Sequence, residues 1–424
     1  MTWLRCEAYK TKSIASNQEY NETGNLKVGE KRGMFFSHPY VPLGTVNYLG
    51  QYYLPVFNEN IELFDAIEGD LAHCTFTPSI GTTFSQIGET ELKIEYYREY
   101  SNTNIKVHKT IIQKVMVVDH GNKLVESTNY DIYEDGYCFF HPQNVNSISR
   151  ETFITGSINN GQNNIIKSSS LPWRSIALGN SEGGLFSNAI NLTDITELDY
   201  ANVDNVVSMS YLLYGTNVSN LNALLNWNTI NVTNIDMAFA NCTNLIDIHG
   251  LINWEVINIE SFANLFKNDA QLKSLSGLEN WNVRNIKDFN NMFGSILIDN
   301  FGSIAEWDLY NAQNISNMFG KVRNILTVYP LRNWRLPAAI NLINAFGNYK
   351  CWYSSLLDAN IYLAEDNIHY IDDEFNNYTF EQVQDEDHPL ELLVKDASSA
   401  ENWGVQGTNK HAFGSEWSNV PSWN

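Results

Sequence analysis

A multidomain chain is predicted: a β-rich N-terminal sandwich, then a solenoid of short α/β repeats closed by a C-terminal cap. Three observations carry this. Trp recurs at 227, 254, 281, 307 and 334, with spacings of 26 or 27 residues. Residues 1–155 carry apolar runs of strand length with period-two alternation, broken by Gly, Asn and Asp. Residues 351–424 lose the repeat register and hold 14 acidic residues against 2 basic ones.

The chain has 424 residues, 43% hydrophobic and 13% aromatic, enough to bury several cores. Its formal charge of −22 disfavours a nucleic-acid partner, which requires a basic face. Cys6, Cys74, Cys138, Cys242 and Cys351 are odd in number and far apart, with no C-x-x-C. They read as free thiols in or near cores, not as a disulfide framework or a zinc site. The N-terminal residues lack the apolar run of roughly 7 to 15 residues of a secretory signal, and no stretch approaches the roughly 18 apolar residues of a membrane helix. Neither feature is therefore expected.

Taken in order, residues 1–35 are polar, with Lys10, Lys12, Lys27, Lys31 and Arg32, and read as an extended arm. Residues 36–155 read as the sandwich-like domain. Leu92, Ile94 and Tyr96 alternate with Lys93, Glu95 and Tyr97; a turn is expected at Ser101–Asn104, and a second apolar run spans Ile111–Val118. Residues 156–194 are a linker and N-terminal cap of the repeats, opening with the Gly- and Asn-rich stretch 156–164. Residues 195–349 are the repeat region, and 350–424 an acidic C-terminal cap or extension.

Within the repeats, several columns keep one register. Twelve residues after each Trp stand Phe239, Phe266, Phe293, Phe319 and Phe346; eight after stand Ile235, Phe262, Phe289, Ile315 and Leu342; three before stand Leu224, Leu251, Leu278, Ile304 and Leu331. Tyr200, with Leu212 twelve later, reads as a degenerate first copy. The period fits an α/β leucine-rich-repeat solenoid and is too short for tetratricopeptide, ankyrin or propeller units. Trp281 and Val283 alternate as in a short strand, and Ile286, Phe289, Met292 and Phe293 are spaced as on one face of a short helix. The 29 Asn of residues 201–350 suit tight turns, since Asn bonds the nearby backbone and tolerates left-handed conformations.

The segment Asn280-Trp-Asn-Val-Arg-Asn-Ile-Lys-Asp-Phe-Asn-Asn-Met-Phe293 resembles the N-W-x-V-x-N-[VI]-x-x-M-x-x-M-F signature of BspA-like leucine-rich repeats. Asn314–Phe319 and Trp254–Phe266 are looser copies. The resemblance covers roughly residues 195–349. It implies a repeat fold of the kind found on bacterial surface proteins and in some bacteriophage proteins.

Enzymatic motifs are weak. Gly179-Asn-Ser181-Glu-Gly183 has the spacing of a nucleophile elbow, but the sequence around it does not read as an α/β-hydrolase sheet, so it is taken as a Gly-rich loop. Asp372-Asp-Glu374 and Asp385-Glu-Asp-His388 offer hard oxygen ligands without an EF-hand spacing and read as solvated acids. The nine histidines form no H-E-x-x-H, and no phosphate-binding loop occurs. Asn-x-Ser/Thr at 191, 217, 231, 241 and 314 follows from Asn-rich turns. No catalytic residue, cofactor or metal is expected.

What remains is a surface. The residues flanking each Trp should face outward and form a row: Asn226, Asn228, Asn253, Glu255, Asn280, Asn282, Glu306, Asp308, Asn333 and Arg335. The structural ladder behind it is Trp227, Trp254, Trp281, Trp307 and Trp334 with the Phe column from Phe239 to Phe346. The expected function is a non-enzymatic binding protein of a bacteriophage virion. Its partners would be other virion proteins or a host cell-surface protein or glycan, self-association included. A bacterial cell-surface adhesin and a carbohydrate-active enzyme with an accessory solenoid are the alternatives.

Overall fold

The computed structural model describes residues 19–26, 38–47, 73–100, 105–127, 130–141, 165–171, 177–181, 183–201, 203–298, 301–320, 322, 331, 334, 341, 345, 351–354, 359–363, 368–371 and 377–379. The chain divides into two compact units, one drawn from residues 1–145, 165–173 and 200–202, the other from 146–164, 174–199 and 203–424.

The first unit is built on a long ribbon. β1 (Glu19–Leu26), β2 (Tyr40–Pro42), β3 (Cys74–Thr77), β4 (Gly88–Tyr100) and β5 (Ile105–Val118) form one mixed sheet. β4 and β5 pair antiparallel along their whole length, Gly88 opposite Val117 and Tyr100 opposite Ile105. β3 pairs antiparallel with β4, whereas β1 and β2 both pair with β5 in parallel. Leu92, Ile94, Tyr96, Val115 and Val117 are buried, while Glu91, Glu95 and Tyr97 face solvent, the alternation of a sheet with one covered face.

A smaller sheet follows, of β6 (Lys123–Glu126), β7 (Tyr130–Tyr133), β8 (Tyr137–Phe140) and β9 (Lys167–Ser168), with β9 parallel to β8. Every residue of β7 and β8 is buried, so both faces of these strands are covered. Asp131 is tolerated there because its Oδ2 accepts from Lys123 Nζ at 2.8 Å and His141 Nε2 at 2.9 Å. His38 donates through Nε2 to the Ser170 carbonyl at 3.1 Å; burial drives its pKa down to about 3 and keeps the ring neutral.

The expected sandwich therefore does not form. A sandwich needs two sheets of comparable, hairpin-connected strands. Here two strands of 13 and 14 residues dominate one sheet, and the rest are strands of two to eight residues, three of them added in parallel. The sequence pattern located β4 and β5 but carries no signal for a parallel addition. The turn expected at 101–104 and the linker 156–164 lie outside the described residues.

In the second unit, β10 (Gly179–Asn180) and β11 (Gly183–Gly184) form a two-stranded hairpin. The repeat units follow. The described part of 350–424 is a four-stranded antiparallel meander, β12 (Cys351–Ser354), β13 (Ala359–Leu363), β14 (Ile368–Ile371) and β15 (Asn377–Thr379); the acidic runs 372–374 and 385–388 lie outside the described residues.

The repeats correct the α/β leucine-rich-repeat solenoid. Among the described residues no α-helix occurs, and the units hold no regular strand, only 3-10 turns such as Asn222–Leu224, His249–Leu251 and Gly302–Ile304. Consecutive units meet through isolated parallel bridges, Ser261 to Asp288, Asp288 to Asn314 and Asn314 to Asn341. The residues spaced like a helix face do not make one because the backbone turns left-handed twice per unit. The first site holds Met237, Asn264, Asn291 and Asn317, with φ of 53° to 58°; the second holds Asn241, Asn268 and Ser295, with φ of 61° to 68°. L-residues in that region end a right-handed helix, and Asn bears the cost better than most.

The backbone bonds of this segment go to the neighbouring unit instead. Phe289, Asn291, Phe293 and Ser295 donate to the carbonyls of Asn314, Ser316, Met318 and Gly320 at 2.7–3.1 Å. Between them, Met292 and Gly294 donate back three residues within their own unit, and Asn290 donates to the Asp288 carboxylate at 2.9 Å. Every N–H from 289 to 295 is thus satisfied without helix or regular strand.

Side chains fill the space that this leaves. The five repeat Trp residues are buried, as are Leu224, Leu251, Leu278, Ile304, Leu331, Ile235, Phe262, Phe289 and Ile315. Phe239, Phe266, Phe293 and Phe319 form a continuous stack with centroids 5.5–5.9 Å apart and planes within 16°. Phe346 and Leu342 lie outside the described residues. Each indole N–H is also satisfied: Trp227, Trp254, Trp281, Trp307 and Trp334 donate through Nε1 to the carbonyls of Leu198, Leu224, Leu251, Leu278 and Ile304 at 2.9–3.1 Å.

Trp281→Ala is expected to cost about 3–5 kcal/mol, the range for a buried aromatic lost to a cavity. Trp281→Phe keeps a ring against Phe262 but leaves the Leu251 carbonyl short of one donor, and is expected to cost less. Urea unfolding of the two variants measures both; equal costs would show that ring volume and the indole bond are not separate contributions.

Candidate functional site

Around each Trp the chain alternates strictly. The Trp and the residue two after it are buried (Thr229, Val256, Val283, Leu309), while the residues before, one after and three after it point outward. Asn226, Asn228, Asn253, Glu255, Asn280, Asn282 and Glu306 are exposed and Asp308 is half-buried. Asn333 and Arg335 lie outside the described residues. The structure thus sets eight of the ten sequence-derived surface residues in one row.

Much of that row is occupied by its own scaffold. Asn226 and Asn228 donate to the carboxylates of Asp199 and Asp204, both at 3.1 Å. Asn253 and Asn280 donate to the carbonyls of Leu225 and Ile252 in the preceding unit, at 3.3 and 3.4 Å. Asn228, Asn282 and Asp308 each accept through Oδ1 from the backbone N–H two residues on, that of Ile230, Arg284 and Tyr310, at 3.1–3.3 Å. This bond holds the third residue after Trp in place. That outer column reads Ile230, Ile257, Arg284 and Tyr310, and the last is 60% exposed, Ile257 40%.

A second amide column, not singled out among the sequence-derived residues, locks the same edge. Four residues after Trp, Asn231, Asn258, Asn285 and Asn311 donate to the carbonyls of Asp204, Ile230, Ile257 and Arg284 in the preceding unit at 2.7–3.0 Å. The signal was available, since Asn stands four after Trp in four consecutive units. In a segment so rich in Asn, the eye has no reason to prefer one column until the acceptors are seen.

The other motifs resolve structurally. Ser181 is exposed at the turn of the β10–β11 hairpin, and among the described residues no α-helix follows it to make a nucleophile elbow. Two glycines of the hairpin are explained by packing: a Cβ at Gly179 would overlap the Ser210 carbonyl, and one at Gly184 the Tyr211 carbonyl. Cys138 and Cys242 are buried free thiols held protonated by burial, and Cys74 is half-buried. No cluster of three or more His, Cys, Asp or Glu that could hold a metal occurs among the described residues.

One buried acid stands apart. Asp269 accepts through Oδ1 from the Cys242 N–H at 2.8 Å, and its Oδ2 is buried without a hydrogen-bond partner. Burial raises its pKa well above the ordinary carboxylate range, only partly opposed by the Cys242 bond.

With this geometry in view, residues 183–268 and 238–358 each match a family model described as Mycoplasma protein of unknown function, DUF285. The two overlapping matches span the repeats, and over them the chain is similar to that family. No curated protein and no solved structure matches the chain. No helix among the described residues is long and apolar enough to cross a membrane.

Two expectations follow. Asn285→Ala removes the bond to the Ile257 carbonyl at an exposed edge and is expected to cost about 0.5–1.5 kcal/mol in urea unfolding; no change would mean that water replaces the amide fully. Asp269 is protonated in the folded state at pH values where the unfolded chain is already ionised. Its penalty is therefore absent below the unfolded pKa and grows as pH rises towards the raised folded one. Asp269→Asn is expected to flatten the fall in stability above about pH 4; parallel pH–stability curves for the two proteins would contradict it.

Proposed function

We propose that the chain is a non-enzymatic binding protein that presents its repeat array to a partner outside the cell that makes it. One observation carries the reading. In the described units the outward positions around Trp recur at the same register, on a backbone held to the adjacent units by main-chain and asparagine hydrogen bonds. A row so fixed loses little conformational entropy on contact, which is what an extended binding surface requires.

Two settings are compatible with it. As a virion component, the chain would assemble with other virion proteins and use the row against a host surface. As a cell-surface adhesin, it would use the same row from the bacterial side. The match to a family described by a cellular genus, together with the BspA-like signature at Asn280–Phe293, favours this second setting.

Immunogold labelling of intact cells carrying the gene, and of any particles they release, tests the proposal with the chain as it is made. Label on the cell surface or on particles is expected, and which one is decorated selects the setting. Label confined to the cell interior, with the chain recovered as a free monomer, would overturn it.

A further inference from the structure

The outer edge of the repeats carries two parallel lines of different chemistry. One is hydrogen-bonding: Asn228, Glu255, Asn282 and Asp308, one residue after each Trp. The other, two residues further, is predominantly apolar: Ile230, Ile257, Arg284 through its methylenes, and Tyr310. The asparagine bonds between consecutive units keep the second line in register, because Asn258, Asn285 and Asn311 each anchor to the carbonyl of a residue in it. Tyr310 is 60% exposed and is the last described member of the line; its N–H is held by Asp308 Oδ1 at 3.1 Å, and Asp308 Oδ2 lies 3.8 Å from Arg284 Nε.

We propose that this edge is a glycan-binding strip, with Tyr310 as its stacking platform and Asp308, Arg284 and Asn282 as the hydrogen-bonding groups around it. The inference rests on the binding reading above and names its ligand class. A pyranose ring has an apolar C–H face and a rim of hydroxyls that both donate and accept. An aromatic ring beside a carboxylate, a guanidinium and an amide answers both parts, as the polarised face of an aromatic ring favours C–H contact. Asn282 accepts the Arg284 N–H through its Oδ1, so its amide hydrogens are the part left to donate, while the Asp308 carboxylate accepts.

The described strip has the dimensions of an oligosaccharide site. With adjacent units stacked at roughly 5 Å, the strip from Ile230 to Tyr310 is roughly 15–20 Å long and two side chains wide, on the order of 200 Å². A stable protein partner needs about 800 Å² on each side, centred on a desolvated aromatic cluster. A strip one aromatic wide matches an oligosaccharide of three or four sugars.

The test uses the full-length chain and three neutral tetrasaccharides, cellotetraose, chitotetraose and maltotetraose, in calorimetric titrations. Saturable binding of at least one is expected, weakened about tenfold or more by Tyr310→Ala and retained by Tyr310→Trp. Arg284→Ala is the second variant, also expected to weaken binding, and thermal unfolding confirms that each variant remains folded. Failure of all three sugars to bind, or binding indifferent to Tyr310→Ala and Arg284→Ala, overturns the proposal. If the chain still decorates cells or particles in that event, only the ligand class falls and a protein partner takes its place.

Discussion

The repeat region depends on one carbonyl per unit doing two things. The Leu251 carbonyl accepts the Trp254 backbone N–H at 3.0 Å, closing a turn in its own unit, and the Trp281 indole N–H at 3.0 Å, fastening the next. Leu224, Leu278 and Ile304 do the same for their neighbours. A carbonyl has two lone pairs, and here both are used. The indole could not be buried otherwise, because an unpaired N–H in an apolar core costs on the order of 1–3 kcal/mol. The 26- to 27-residue period is thus the length of chain that returns a Trp to the carbonyl three residues ahead of the previous one.

From that constraint the rest follows in order. The chain must turn back within one unit without helix or regular strand, so it passes through two left-handed residues, and those positions fall to Asn more often than to any other residue. The N–H groups between them alternate between their own turn and the next unit, as the run from Phe289 to Ser295 shows. Packing of Phe239, Phe266, Phe293 and Phe319 then fills the interior at the same repeat distance. Each unit satisfies part of its polar groups only against a neighbour, so the units depend on one another for stability.

This explains what was legible in the sequence and what was not. The Trp and Phe columns could be read because each is one residue type at one register. The helix inferred from Ile286, Phe289, Met292 and Phe293 failed because spacing reports which side chains are buried, not the sign of φ between them; Asn291 was the clue that the backbone reverses there. The sandwich failed for a related reason: alternation identified β4 and β5, but the parallel pairing of β1 and β2 with β5 is a long-range choice that local pattern does not encode. At the surface, the outward row was visible while its commitments were not. Asn226, Asn228, Asn253 and Asn280 look free in sequence, and each is tied to a neighbouring unit or acid once folded.

Those ties decide where recognition can reside. Positions that hold the array together repeat one chemistry: Trp, Asn four residues on, Phe twelve on. The outward position three after Trp does the opposite, reading Ile, Ile, Arg and Tyr through four units, and the one six after reads Thr, Glu, Lys and Gln. Lys287 answers Glu260 across adjacent units at 2.8 Å, so part of that second column is self-neutralised, whereas Tyr310 and Ile257 remain exposed. A side chain that differs from unit to unit on a scaffold that does not differ is free of the architecture and can be set by what it meets. On this array such freedom is concentrated on the edge where Tyr310, Arg284 and Asp308 stand together.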